Sequence, residues 1–87
     1  MKISKEVYQE LALTFYGDTH VHAQNLKAGL REEVEEVCTA TDRQNLIEEL
    51  GDLLWYITIL ADNAGLNLGD IMLANINKLE RRALNGK

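Results

Sequence analysis

Apolar side chains recur every three or four residues along this chain, which is the spacing that places them on one face of an α-helix. Four such segments follow one another, without a proline and without the alternation typical of a strand. We expect helices from about Ser4 to Gly17, from Asp18 or Thr19 to the break at Thr39, from Thr41 to about Asn63, and from Asn67 to Asn85. The pattern predicts an all-α fold, a four-helix antiparallel bundle-type protomer.

Several of the predicted helix ends rest on capping signals, among them Asn63-Ala64-Gly65 at the end of the third helix. Ser4 is a suitable N-cap for the first helix, which we expect Gly17 to end. Thr41, followed three residues later by Gln44, matches the capping box at the start of the third helix. Asn67 is expected to cap the fourth helix.

The chain has 87 residues, which is enough for one domain, residues 1–87, with a small core. Because 46% of these residues are hydrophobic, we expect oligomerisation to bury more apolar surface than one chain can. The single cysteine, Cys38, excludes an internal disulfide framework. No apolar run is long enough for a membrane span and no signal peptide is evident. These features indicate a cytoplasmic protein that does not contact membranes.

Charge is unevenly distributed along the chain. The net charge of −5 argues against binding to a nucleic-acid polymer, because phosphate backbones bind basic surfaces. Acidic residues are concentrated between Glu32 and Asp52, whereas basic residues are concentrated between Lys78 and Lys87. The two signs therefore fall on different predicted helices.

The acidic residues of the second and third helices sort into two groups at 100° of rotation per residue. Some lie along one edge of the apolar face of their helix: Glu33 and Glu36 on the second, Glu49 and Asp52 on the third. Others point away: Glu32, Glu35 and Glu48. Since residues three apart have Cβ atoms about 5–6 Å apart, each edge pair can converge on one point.

Four converging carboxylates would repel one another unless a cation neutralised them. Oxygen ligands without a matching histidine or cysteine favour a hard ion, so the sequence predicts a Mg²⁺ site in which Mn²⁺ can substitute. Acids on a helix are more often a solvated face. The repeated spacing of three beside two apolar faces favours the metal site.

The fourth helix carries hydrogen-bond donors along one edge of its apolar face, at Asn75, Lys78 and Arg82. Such donors would bind the phosphate oxygens that metal ions leave free. Basic residues near a helix C-terminus more often oppose the helix dipole. Their matching edge position favours a polyphosphate ligand.

Three blocks of the sequence, GLREEVEEV at 29–37, ELGDLLWY at 49–56 and NINKLERR at 75–82, resemble the signature blocks of the MazG-like nucleotide pyrophosphohydrolases. The resemblance implies an all-α fold. It also implies that the family's acidic motif, Glu-Glu-x-x-Glu followed by Glu-x-x-Asp, consists here of Glu32, Glu33 and Glu36, then Glu49 and Asp52. It implies metal ligation by Glu33, Glu36, Glu49 and Asp52. It also implies that Asn75, Lys78 and Arg82 reach the phosphates. A further implication is that the protein is a homodimer or homotetramer.

The activity implied by this resemblance is Mg²⁺-dependent hydrolysis of (deoxy)nucleoside triphosphates between the α and β phosphates, which gives a monophosphate and pyrophosphate. Such an enzyme can serve nucleotide-pool housecleaning. Glu32 or Glu36 would act as the catalytic base, and the sequence does not choose between them. Two alternatives stay open: a pyrophosphatase of the same fold for another substrate such as phosphoribosyl-ATP, and a non-catalytic, metal-stabilised helical oligomerisation module.

Three further side chains are candidates for contacts outside the carboxylates. His22 lies on the line of Glu33 and could approach substrate, although a histidine near a helix start is more often a surface residue. Tyr56 could border the base or ribose, or belong to the core with its hydroxyl bonded. Trp55 lies opposite the apolar face of its helix, so a second surface must cover it, and we expect a subunit interface.

Overall fold

A computed structural model of the chain describes residues 2–19 and 23–86. These residues form four α-helices: α1 Lys5–Thr19, α2 Ala23–Cys38, α3 Arg43–Asn63 and α4 Leu68–Leu84. Neither range contains a strand, so the predicted all-α fold is confirmed. No helix in the two ranges has the length and apolar character needed to cross a membrane.

The boundary between α1 and α2 differs from the prediction. Ser4 caps α1 as expected, since its Oγ accepts a hydrogen bond from the backbone N–H of Val7 at 3.2 Å. The helix does not end at Gly17 but continues to Thr19, and α2 begins at Ala23 rather than at Asp18 or Thr19. A single glycine inside a helix costs only about 1 kcal/mol, which the turns on either side can offset.

The start of α3 is shifted by one residue from the predicted capping box. Asp42, not Thr41, is the N-cap, and its carboxylate accepts from the backbone N–H of Asn45 at 2.8 Å. The Asn45 side chain in turn accepts from the backbone N–H of Thr41 at 3.2 Å. Aspartate caps a helix at least as well as threonine, so the neighbouring aspartate takes the position.

Glycine ends α3 in the manner predicted. Gly65 has φ 74°, a left-handed conformation that glycine adopts without strain. The N–H groups of Leu66 and Gly65 donate to the carbonyls of Ala61 and Asp62, both at 2.9 Å, which is the Schellman pattern. Asn67 then caps α4 as expected. This tight junction sets the direction in which α4 leaves the molecule.

Helices α2 and α3 pack against each other most extensively, and the short connection 39–42 makes them antiparallel neighbours. Helix α1 packs across α3. The centre of the core consists of Ala12, Leu26 and Ile59, one from each of these helices. Further side chains pack partly buried around it: Tyr8, Leu13, Trp55, Tyr56 and Leu60.

Trp55 is covered within the chain. Its indole Nε1 donates a hydrogen bond to the carbonyl of Ala12 at 3.1 Å, and the ring packs against the core. The predicted second surface over Trp55 is therefore provided by α1. The expected place of Trp55 at a subunit interface is not needed to explain its apolar surroundings.

Helix α4 packs against α1 through its first turn. Leu68 is buried there. The side chain of Gln9 on α1 makes two hydrogen bonds to the backbone at the junction between α3 and α4. Its Oε1 accepts from the N–H of Leu68 at 3.1 Å, and its Nε2 donates to the carbonyl of Leu66 at 3.4 Å. From Met72 to Gly86 every residue is exposed. The rest of α4 thus projects from the molecule with its apolar face uncovered.

Candidate metal centre

The antiparallel pairing of α2 and α3 brings acidic side chains from both helices to one place. Glu33, Glu36 and Glu49 can each offer one carboxylate oxygen such that the three oxygens lie within 4.8 Å of one another. Glu33 and Glu36 are three residues apart and share a helix face, and the facing helix provides Glu49. We call these three residues the carboxylate cluster.

The surroundings of Glu33 disfavour its charged form. Its Oε2 is buried and has no hydrogen-bond partner among the described residues. Burial first, then hydrogen bonding to Glu36 and the charges of Glu36, Asp52 and Glu49, raises its pKa from 4.5 to about 7. A buried carboxylate oxygen without a partner is unfavourable unless a proton or a cation neutralises it.

Glu49 experiences the same surroundings from the opposite helix. Hydrogen bonding to Glu36 is the main cause that raises its pKa, followed by burial and by the charges of Glu36 and Asp52. The charged groups that act on Glu33 and Glu49 are all acidic. Among the described residues, no cationic side chain forms an ion pair with Glu33, Glu36 or Glu49.

Asp52, the fourth predicted ligand, lies at the margin of the cluster. It is exposed and is not one of the three residues whose oxygens converge. Its charge nevertheless raises the pKa of Glu33, of Glu49 and of Tyr8. Asp52 is thus close enough to add a ligand if its side chain turns toward the cluster.

Two tyrosines flank these acids. Burial and then the charges of Glu33, Glu32, Asp52 and Glu36 raise the pKa of Tyr56. Burial and the charge of Asp52 do the same for Tyr8. Both phenols therefore stay protonated near neutral pH and can donate a hydrogen bond.

Tyr8 was not predicted as part of the site. Its place on the apolar face of the first helix indicated a core residue, which it also is. What the pattern could not show is that α1 crosses α3 beside Asp52, because the packing of nonadjacent helices is not encoded in the periodicity of either one.

The structure does not bring every predicted site residue to the cluster. Asn75, Lys78 and Arg82 are exposed on α4, which packs on α1, and among the described residues none of them pairs with a carboxylate of the cluster. Glu32 is exposed, and its charge acts on Tyr56. His22 lies outside the described residues. The roles assigned to these residues stay predictions.

A cavity of about 600 Å³ lies elsewhere, between α1 and the α3–α4 junction. Gln9, Leu66 and Gly69 are among the residues that line it, and none of the four predicted metal ligands does. The hydrogen bonds of the Gln9 side chain to Leu66 and Leu68 cross this gap between the helices. The carboxylate cluster instead lies on an open surface of α2 and α3.

The cluster meets the requirements of a divalent-metal site. Its donors are carboxylate oxygens, which hard cations prefer. One of those oxygens is buried and unpartnered, and the surrounding charges are all negative. A bound cation would offset the burial and the neighbouring negative charges that raise the pKa of Glu33.

Four α-helices with carboxylates converging from two antiparallel neighbours define an all-α protein with a candidate metal centre. The profile of the MazG nucleotide pyrophosphohydrolase domain matches residues 21–86. This chain belongs to that family, as the resemblance of its three blocks predicted. The prediction that residues 1–87 form one domain is not tested by this match.

Similarity to curated proteins is partial. The chain is 44% identical over 52 residues, 60% of its length, to "Uncharacterized protein YvdC" of Bacillus subtilis (strain 168), and it covers 49% of that protein. It is 35% identical over 66 residues, 76% of its length, to "Gene 37 protein" of Mycobacterium phage L5, and it covers 57% of it.

A third relative has a named pathway. Over 46 residues, 53% of this chain, the sequence is 39% identical to "Histidine biosynthesis bifunctional protein his7" of Schizosaccharomyces pombe (strain 972 / ATCC 24843), of which it covers 11%. The chain thus spans about half, or less, of the length of these relatives. No solved structure matches it.

Proposed function

We propose that this protein is a hydrolase that cleaves (deoxy)nucleoside triphosphates between the α and β phosphates, releasing a nucleoside monophosphate and pyrophosphate. The observation that carries the proposal is the convergence of Glu33, Glu36 and Glu49 within 4.8 Å in a chain of the MazG nucleotide pyrophosphohydrolase family. Removal of non-standard or excess nucleotides is the role we propose for it, in the cytoplasm.

Glu33, Glu36, Glu49 and Asp52 are the residues that would hold Mg²⁺, with Mn²⁺ as a substitute. A bound ion of this kind polarises a phosphoryl group and lowers the pKa of a coordinated water. The Oε2 of Glu33 supports this assignment, because it is buried and has no hydrogen-bond partner among the described residues, so a cation would offset its burial.

The attacking water must transfer a proton to a carboxylate as its oxygen bonds to the α-phosphorus. Glu32 and Glu36 are the two candidates. A carboxylate oxygen of Glu36 converges with oxygens of Glu33 and Glu49, whereas Glu32 is exposed and lies near Tyr56. This arrangement favours Glu32 as the base and Glu36 as a ligand.

Positive charge for the pyrophosphate leaving group would come from a second copy of the chain. Lys78 and Arg82 lie on the projecting part of α4, away from the cluster of their own chain. The cluster of acids on α2 and α3 and the basic end of α4 are complementary in charge. We infer that α4 of a partner chain places Asn75, Lys78 and Arg82 beside the phosphates.

Apolar surface supports this second copy. Large apolar side chains remain substantially exposed on all four helices, with exposed fractions of 62% at Leu73 and 52% at Ile76 on α4 and 53% at Ile47 on α3. A small chain with so much uncovered apolar surface gains stability by association. A homodimer is the smallest assembly that covers α4, and a homotetramer would cover more. We propose no nucleic-acid or membrane partner.

The test is product analysis. The purified protein is incubated with Mg²⁺ and a panel of ribo- and deoxyribonucleoside triphosphates, and the products are separated by ion-exchange chromatography. Monophosphate and pyrophosphate in equal amounts are expected. Orthophosphate as the product, or no turnover of any nucleotide, would contradict the proposal. The Glu49→Gln protein serves as the inactive control and Glu48→Gln as the active one.

Phosphoribosyl-ATP belongs in the same panel. The similarity to a histidine biosynthesis bifunctional protein favours it as the second candidate substrate. Preferential turnover of this compound would assign the chain to the alternative pyrophosphatase. A protein that turns over nothing but is stabilised by Mg²⁺ would be the non-catalytic oligomerisation module.

A further inference from the structure

Helix α4 is attached to its own chain at one end. Within α4, which the structure describes in full, Leu68 in the first turn is the only buried residue, with 7% of its surface exposed. Every residue from 72 to 86 is exposed, and α4 packs chiefly against α1. The contacts between α1 and the start of α4 therefore decide the direction in which the rest of α4 projects.

Two side chains of α1, four residues apart and so on the same face, make these contacts. Gln9 accepts a hydrogen bond from the N–H of Leu68 at 3.1 Å and donates one to the carbonyl of Leu66 at 3.4 Å. The carbon chain of Lys5 lies against Gly69, where a built β-carbon would be 3.0 Å from Cε. The first turn of α4 is thus held at two points.

The two hydrogen bonds of Gln9 hold different parts of the junction. Leu66 belongs to the turn that follows α3, and its own N–H donates to the carbonyl of Ala61. Leu68 is the first residue of α4. One side-chain amide therefore joins the end of α3 to the start of α4. Without it, the angle between the two helices would depend on that turn and on the packing of Leu68.

The length of α4 magnifies any change in this angle. At about 1.5 Å per residue, Lys78 lies about 15 Å and Arg82 about 21 Å from Leu68 along the helix axis. A tilt of about 10° at Leu68 would therefore move Arg82 by about 4 Å. A misplacement of about 1 Å in a site can already reduce the rate of an enzyme about 100-fold.

We propose that Gln9 is a positioning residue: it sets the direction of α4, and thereby the place that Asn75, Lys78 and Arg82 take beside the phosphates in the site of a partner chain. This inference rests on the proposed function. Gln9 precedes residues 21–86, which match the family profile, so family membership alone does not assign it this role. It acts on the site of the other chain, not on the carboxylate cluster of its own.

The first experiment compares Gln9→Met with Glu10→Gln. Methionine keeps the length of the glutamine side chain but makes neither hydrogen bond, whereas Glu10 is the exposed neighbour. Contacts to the phosphates hold the substrate as well as the transition state, so Gln9→Met should raise the KM for a nucleoside triphosphate about tenfold and change kcat less. Inhibition by pyrophosphate should weaken to the same extent. Glu10→Gln should leave all three quantities unchanged.

Mg²⁺ binding in the absence of nucleotide separates positioning of α4 from damage to the metal centre. Its ligands lie on α2 and α3, so Gln9→Met should bind Mg²⁺ as the unsubstituted protein does. An unchanged KM, or an equal loss of Mg²⁺ affinity, would overturn the proposal. If Gln9→Met fails to fold by circular dichroism, Gln9→Glu takes its place, because it keeps the acceptor for the Leu68 N–H and loses only the donor.

Mixed dimers show on which chain Gln9 acts. When an Arg82→Ala chain is mixed with a Glu49→Gln chain, the single intact site combines the cluster of the first with α4 of the second. Gln9→Met added to the Glu49→Gln chain should raise KM, since that chain provides α4. The same substitution added to the Arg82→Ala chain should leave KM unchanged. Equal values of KM in the two mixtures would overturn the proposal.

A distance measurement keeps this inference distinct from the proposed function. In a Cys38→Ser background, nitroxide labels are attached at Glu48→Cys on α3 and Asn77→Cys on α4, and the labelled chain is diluted in excess unlabelled chain. Electron–electron double resonance then measures the distance between the labels. Gln9→Met should shift or broaden the distance distribution by up to about 4 Å, the displacement expected from a small tilt of α4.

The two proposals fail in different ways. A shifted distribution together with weaker binding of pyrophosphate, in a protein that hydrolyses no nucleotide, would reject the proposed function and support the positioning role of Gln9. Turnover of nucleotides with an unchanged distribution in Gln9→Met would support the proposed function and reject the positioning role.

Discussion

The carboxylate cluster on α2 and α3 and the projecting part of α4 differ in what each lacks. The cluster lies on an open surface of two antiparallel helices, and within the described part of the chain no cationic side chain forms an ion pair with its acids. The projecting part of α4 has cations and apolar side chains that nothing covers. Each surface provides what the other lacks, which supports the proposed association of two chains.

Substitution of Glu36 is the strongest test of the carboxylate cluster. The carboxylate of Glu36 converges with those of Glu33 and Glu49, so Glu36→Gln removes a central negative charge without changing the side-chain shape. We expect kcat/KM to fall by about 100-fold or more, the scale seen for loss of metal-site groups. Glu35→Gln, on the exposed face of the same helix, is the control, and an equal loss in both variants would contradict the assignment.

The α4 side is tested by placing a charge on its apolar face. Ile76→Asp should prevent association, because burying an unpaired carboxylate in an interface is unfavourable, and activity should fall by about tenfold or more with it. Sedimentation equilibrium measures the mass. Asn77→Asp adds the same charge on the polar face and should leave the mass unchanged. A monomer before substitution, or an unchanged assembly after Ile76→Asp, would refute the predicted interface.

The raised pKa of Glu33 also predicts how the stability of the metal-free protein depends on pH. The pKa of Glu33 is raised from 4.5 to about 7, so its protonated form is favoured by folding. Its contribution to stability is fully present below about pH 4.5 and is lost as the pH rises through about 7. In EDTA, the Tm should therefore decrease between pH 5 and pH 8.

Two controls accompany the pH series. Mg²⁺ should remove most of the decrease, because a bound cation replaces the proton, and Glu33→Gln should flatten the profile in EDTA. If the Tm of the unsubstituted protein in EDTA instead rises over this pH range, the carboxylates are not held together in solution.

The smallest effect concerns the attachment of α4. Gln9→Ala removes the partner of the Leu68 N–H and of the Leu66 carbonyl, which should lower the free energy of unfolding by about 1–2 kcal/mol. Urea denaturation measures it, with Glu10→Ala as the exposed control. Equal free energies in the two variants would mean that α4 is not held by this contact.

Much of the fold follows from the sequence because helix periodicity and capping are local. The ends of α3 and α4 were predicted at Asn63 and Asn85 from the asparagine and glycine residues that follow the apolar pattern. Gly17 was misread, because a glycine ends a helix only where the chain also turns away. The capping box at Thr41 was displaced by the stronger neighbouring cap at Asp42.

The site was predictable in part for the same reason. Glu33, Glu36 and Glu49 were identified from spacing on two helices that follow each other closely. Tyr8 was not, because its approach to Asp52 depends on how α1 crosses α3. The close approach of the Tyr56 ring to Gly29 depends on the distance between α2 and α3, and no sequence pattern reports that distance.

Mixing two inactive chains tests most directly whether one chain provides the carboxylates and another the cations. Glu49→Gln lacks a cluster carboxylate, and Arg82→Ala lacks a cation of α4. If the site combines two chains, a mixed dimer contains one intact site, so unfolding and refolding an equal mixture should restore about a quarter of wild-type activity by random pairing. An inactive mixture in which mixed dimers are demonstrated would contradict the account.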